Sequence, residues 1–159
     1  MGLVEQSDSA IESQLSVLEE SYDSFAVNQR TVAVPSEQYE RVRERPAREV
    51  ELRARIENDS AELLHVDHED GEVLPSTVTT VDDHLEGALR SEVETTTGIS
   101  CRLEELSAVT ILGFRDAELE ERDTIYRLIL VYDGVSDGGS IEQPAEWRRN
   151  DSTADSLLV

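Results

Sequence analysis

The sequence predicts an α/β fold, helices packed on a sheet, behind an N-terminal helical extension. Two periodicities predict it: apolar residues recur three and four apart in some stretches, as on one face of a helix, and alternate with polar residues in others, as on a half-buried strand. A third observation is length, since 159 residues suffice for one proper core. The expected organisation is an extension over residues 1–47 that includes a short strand, a main domain over 48–149, and a flexible tail over 150–159.

Ile11, Leu15, Leu18 and Tyr22 set one apolar stripe on a helix over residues 8–23. The stripe suits packing on the domain behind it; partner binding or homodimerisation through that helix is the alternative. Residues 25–34 read as a strand ended by Pro35, and residues 36–45 as a short polar helix. Val50, Leu52, Ala54 and Ile56 alternate with polar residues, Asn58 and Asp59 supply a turn, and Leu63, Leu64 and Val66 resume the apolar run, which makes a hairpin. A second turn over 67–71 leads to Val73, Leu74 and Pro75, and the Thr-rich stretch 76–81 reads as a loop.

The best-signalled helix follows. Asp83 stands at its cap with Glu86 three residues on, Leu85, Ala88, Leu89 and Val93 form its buried stripe, and Gly98 supplies its stop. Glu86, Arg90 and Glu94, four apart, are placed for a ladder of ion pairs. Residues 106–114 and 124–132 read as strands joined by an acidic loop, and the Gly-, Ser- and Asp-rich stretch from Asp133 reads as a tail interrupted by Trp147.

Composition bounds the partners. Acidic residues number 36 against 14 basic ones, a formal net charge of −22, and every basic residue is Arg. Self-repulsion on that scale opposes a compact fold in dilute buffer, whereas at molar salt the Debye length falls to about 3 Å. The sequence therefore reads as adapted to very salty water. No basic stripe exists to neutralise phosphates, so no nucleic-acid partner is expected. No apolar run approaches the roughly 18 residues of a membrane span, and no leader peptide is evident, so the expected location is the cytoplasm, away from membranes. Cys101 is the only cysteine and is read as a small buried apolar residue.

Around the third helix, Leu74-Pro75, Asp83 and Ser91-Glu92-Val93-Glu94-Thr95-Thr96-Thr97-Gly98-Ile99 fall in one register. This resembles the Nudix box, Gx5Ex7REUxEExGU with U aliphatic, and the resemblance implies a Nudix-type αβα sandwich with a mixed sheet covering residues 48–149. In that family the glutamates hold divalent cations, usually magnesium, that polarise a pyrophosphate linkage for attack by water. Glu92 matches the Glu of REU and is the implied metal ligand. Thr77 stands for the first Gly, Asp83 for the outer Glu, Ser91 for the Arg, and Thr95 and Thr96 for the paired Glu residues. Positions three and four apart share a helix face, so Glu92, Thr95 and Thr96 are expected to converge with one carboxylate among them. Opposite unit charges about 4 Å apart attract by roughly 4 kcal/mol at an effective dielectric of about 20, so each lost carboxylate matters to a doubly charged ion.

The resemblance thus implies a protein that binds a nucleotide or another diphosphate-containing small molecule, with magnesium weak or absent and hydrolysis weak or absent. One alternative is an active metal-dependent pyrophosphohydrolase using Glu92 and Asp83 with carboxylates recruited from the loop holding residues 118–121. Another is a partner-binding scaffold acting through the first helix. Arg115 and Arg127 are candidate phosphate contacts, and Trp147, after Glu146, is a candidate for stacking on a base. His84 lies near the expected pocket. His65, Asp67, His68, Glu69 and Asp70 cluster at a turn, with spacing that fits neither an EF-hand nor a zinc helix motif.

Overall fold

A computed structural model describes residues 3–22, 24–68, 71–80, 84–143 and 145–149. The elements run α1 (Leu3–Ser21), β1 (Ala26–Val34), α2 (Ser36–Glu44), β2 (Glu49–Glu57), β3 (Glu62–His68), β4 (Gly71–Val73), β5 (Ser76–Thr80), α3 (Leu85–Thr97), β6 (Ile99–Asp116), β7 (Ile125–Gly139) and β8 (Ala145–Arg149). Strands pair in the order β1-β6-β7-β2-β3-β4, with β5 on β2 and β8 on β3. β1 is parallel to β6, and β3 is antiparallel to β2, β4 and β8, so the sheet is mixed as expected. No helix among the described residues is long and apolar enough to cross a membrane.

The chain divides into two compact units drawn from discontinuous stretches. The first takes α1, β1, α2, the start of β2, β5 from Val78, β6 from Ala108 and β7 up to Leu130; the second takes β2 from Leu52, β3, β4, the start of β5, α3, β6 up to Ser107, β7 from Val131, and β8.

In the first unit, Val34, Tyr39, Val42 and Ile125 form a buried cluster against which Val32 and Phe114 pack. Helix α1 buries Ile11, Gln14 and Leu18 while Leu15 is only half-buried. The buried stripe is therefore one residue off the apolar one, because Gln14 is drawn inward to donate from Nε2 to the Ala47 carbonyl, 3.2 Å away.

In the second unit the hairpin turn forms where Asn58 predicts it. Asn58 Oδ1 accepts the N–H groups of Ser60 (2.9 Å) and Glu62 (3.0 Å), an arrangement asparagine makes with its own backbone. Ala61 takes the left-handed φ of 62° that closes the turn. Residues 76–80, expected as a loop, form strand β5 on β2, since β-branched side chains suit an extended pleat. The Gly- and Asp-rich stretch after Tyr132 continues β7 to Gly139 instead of starting a tail. Gly134 permits it, because a Cβ there would lie 2.5 Å from the Arg102 carbonyl oxygen.

Helix α3 buries Leu85, Leu89, Val93 and Thr97. Each large apolar side chain of that stripe contributes roughly 1.5–3 kcal/mol, an upper bound because the unfolded chain already hides some surface. Its cap position is His84, which makes no side-chain cap bond; Asp83, the expected cap, lies outside the described residues. Gly98 ends the helix at φ 79° and ψ 0°, and its N–H reaches the Glu94 carbonyl at 2.9 Å.

Candidate functional site

Residues 91–97, matched above to the Nudix pattern, lie along α3 in the second unit. Glu92 is half-buried at the edge of the packed stripe, and the Thr96 hydroxyl donates to its Oε2 at 2.5 Å. Thr97, fully buried, donates to the Val93 carbonyl at 2.5 Å and accepts the Ile99 N–H at 3.1 Å, tying the last helical turn to β6. Thr95 departs from expectation: it is exposed and, with Gly87, Arg90, Ser91, Glu94, Ser100 and Cys101, lines a pocket of about 450 Å³ that Glu92 does not line. At about 100° per residue, Thr96 lies some 40° from Glu92 around the axis and Thr95 some 60° to its other side, enough to divide the trio between two faces. Among the described ion pairs none joins Arg90 to Glu94.

Magnesium is held by hard oxygen ligands, normally carboxylates joined by substrate phosphates. Here one carboxylate stands on the box face with one oxygen already engaged by a hydroxyl, and among the described residues no three His, Cys, Asp or Glu side chains are grouped to hold a metal. These residues do not match the carboxylate cage that the box resemblance implies. Asp83, the other acid of the box, lies outside the described residues, as do Glu69 and Asp70 of the turn cluster. His65 is buried on β3 with Nδ1 3.1 Å from the Leu63 carbonyl, while Asp67 on the same strand is exposed. Leu74 and Pro75 are buried, and the Pro75 carbonyl accepts the Ala54 N–H at 3.0 Å. Thr77 is half-buried on β5, and His84 is exposed.

Trp147 is half-buried on β8 opposite Leu64 of β3, and β8 contacts α3. Burial of Cys101 pushes its thiol above the ordinary cysteine range, Arg90 acting the other way and Asp137 and Glu94 adding to the rise.

Arg115 and Arg127 belong to the first unit. Arg115 is exposed at the end of β6. Arg127 is buried, and Nη2 donates to the carbonyls of Val42 (3.1 Å) and Arg45 (3.0 Å) while Nη1 donates to that of Tyr126 (2.9 Å). Its guanidinium thus serves the C-terminal end of α2. The acidic loop likewise serves α2: Glu118 Oε2 accepts the Ser36 N–H at 2.8 Å, and Asp116 Oδ1 accepts the Ser36 hydroxyl at 2.7 Å and the N–H groups of Glu118 (2.9 Å) and Leu119 (3.2 Å). Arg122 pairs with Glu40, stands 3.6 Å from Asp116 Oδ2, and lies 5.2 Å over the Tyr39 ring. Sequence reading missed this network, and its signal was faint: an acid just past an apolar strand, facing a helix start about 80 residues earlier.

Burial by itself would raise the Asp116 carboxyl, but the Ser36 hydroxyl, the two backbone N–H groups and Arg122 together bring it below the usual carboxylate value. A depressed native value means that this contribution to stability is fully present above the unfolded value of about 3.9 and is lost as pH falls through the native value. Denaturation midpoints measured against pH are therefore expected to fall more steeply below about pH 4 for the wild type than for Asp116→Asn. Parallel curves for the two would remove Asp116 as a source of acid sensitivity.

No protein-family model matches the sequence, and no curated protein matches it. Solved structures do resemble it. A UDP-X diphosphatase aligns over 79% of this chain and 66% of its own at 16% identity with a TM-score of 0.51. An ADP-ribose pyrophosphatase from Streptococcus suis 89-1591 aligns over 64% of this chain and 73% of its own at 15% identity and TM-score 0.47. A Nudix hydrolase from Nitrosomonas europaea aligns over 64% of this chain and 57% of its own at 11% identity and TM-score 0.49. At such identities the likeness is one of architecture alone: the chain shares a mixed-sheet α/β fold with the UDP-X diphosphatase.

Proposed function

We propose that this chain is a Nudix-fold protein that binds a nucleotide or another diphosphate-containing small molecule, at molar salt in the cytoplasm, and hydrolyses it weakly or not at all. The observation that carries this reading is the Thr96 hydroxyl resting on Glu92 where the family pattern has a second carboxylate. A hydroxyl supplies an oxygen but not a charge, so a cation here loses the charge partners that would hold it and acidify its water. The architecture shared with a UDP-X diphosphatase supports the ligand class. Trp147, on a strand that contacts α3, is the proposed stacking surface for a base.

The test is a panel of nucleoside diphosphate derivatives with magnesium in molar potassium chloride. A bound member is expected to raise the melting temperature, since a ligand at about a hundred times its Kd stabilises by roughly 2.7 kcal/mol, with no product released. Glu92→Gln is expected to leave that outcome unchanged. Rapid turnover that Glu92→Gln abolishes would replace this reading with that of an active hydrolase.

A further inference from the structure

Among the described residues, strand β1 is a parallel strand at the end of the sheet order. Its one described neighbour is β6, paired in register from Ala26↔Ala108 to Val34↔Asp116, and no other described strand pairs with it. Parallel strands are normally covered on both faces. Here six successive residues, Ala26 to Thr31, are exposed; successive side chains alternate between faces, so both faces of the strand stand open. Val27 is 51% exposed.

Free edges are usually guarded by lysine, proline, a bulge or inward charge. β1 reads Ala-Val-Asn-Gln-Arg-Thr-Val-Ala-Val, with Arg30 its one charged residue. The contrast within the chain is informative. β2, also nine residues long, carries Glu49, Glu51 and Glu57, whereas residues 25–34 contain no acid in a molecule of net charge −22. Two copies repel each other across most surfaces, and an acid-free edge offers an approach without like-charge contacts. The same neutrality gives a basic partner nothing to be drawn to.

We propose that β1 is a homodimerisation edge, pairing antiparallel with β1 of a second copy. Like charges directly opposite are destabilising, so the twofold axis falls away from Arg30. Centred on Asn28, for example, it sets Arg30 opposite Ala26 and Val27 opposite Gln29. With the axis on Asn28 the two strands overlap over Ala26 to Arg30, about 17 Å of edge at ~3.4 Å per residue and less than a standard interface, so the dimer is weak and reversible. Its salt dependence has a definite sign: screening the net charge strengthens it, the reverse of an interface built on ion pairs.

Sedimentation of the full chain between tenth-molar and molar potassium chloride tests this. Dimer is expected to form at molar salt, with the dissociation constant falling about tenfold as the Debye length shrinks from about 10 to about 3 Å. The double variant Val27→Asp/Gln29→Glu, changed at two exposed positions, is expected to weaken the dimer at least about tenfold without lowering the melting temperature. Hydrogen exchange of the unsubstituted chain reads the same edge without mutation, and those amides of residues 26–30 that face away from β6 are expected to slow as protein concentration rises. A chain that stays monomeric at molar salt overturns the proposal, as does a dimer whose β1 amides exchange no more slowly than those of the monomer.

Discussion

Gly98→Ala is expected to cost about 2–5 kcal/mol, a large part of the 5–15 kcal/mol that separates a native domain from its unfolded chain. Two costs add. The residue sits at φ 79°, where a side chain costs about 1–2 kcal/mol. A Cβ there would also overlap the backbone carbonyl oxygen of Ser140 and lie 2.9 Å from Glu142 Cγ, and overpacking typically costs a further 1–3 kcal/mol. Backbone cannot rotate away as a side chain can, and this backbone is held: the Glu142 N–H donates to the Thr97 carbonyl at 2.9 Å, and Gly139, itself at φ 85°, abuts the Gly98 carbonyl. Urea denaturation of variant and wild type at equal salt measures the difference. A loss under about 1 kcal/mol would mean that the stretch after β7 gives way more easily than this geometry allows.

Arg127→Met is expected to destabilise by about 2–4 kcal/mol although it relieves a buried charge. Burial lowers the Arg127 pKa, with the nearby Arg45 charge contributing, but an arginine starts so high that it stays protonated. The charge sits at the negative end of the α2 dipole, which offsets part of its desolvation. The larger effect lies with its partners: methionine nearly fills the space but removes the guanidinium donors from the carbonyls of Val42, Arg45 and Tyr126, and although Val42 keeps the Arg45 N–H at 3.2 Å, each acceptor left buried without a partner costs about 1–3 kcal/mol. Arg127→Lys keeps the charge but lacks the planar fork and is expected to recover only part of the loss. The midpoint and slope of a urea transition separate these cases, and a methionine variant as stable as the wild type would show that water reaches those carbonyls.

The local elements were legible because their signals are local. The hairpin turn rests on Asn58 bonding its own neighbours, and the end of α3 on a glycine free to take positive φ. Misreadings arose where a distant partner decided. The threonines of 76–80 became a strand because β2 offered its edge, and the stretch from Asp133 to Gly139 continued β7 because Gly134 lets the backbone at Arg102 come close. In α1 a glutamine displaced a leucine from the buried stripe to reach Ala47.

The candidate site divides the same way. That the box keeps one glutamate is a property of the letters, as is the net charge of −22. That Thr96 rests on Glu92 while Thr95 turns to a separate pocket is a property of packing, because a helix places residues three and four apart as neighbours but the surface beneath it chooses which face each one meets. The roles of Arg127 and Asp116 needed the whole fold, since each serves α2 from about 80 residues away. By itself the sequence determined which residues carry charge and where the chain turns, because those depend on side-chain chemistry and immediate neighbours. Only the tertiary structure decided which polar groups meet, because a buried donor takes whichever acceptor the packing brings within about 3 Å.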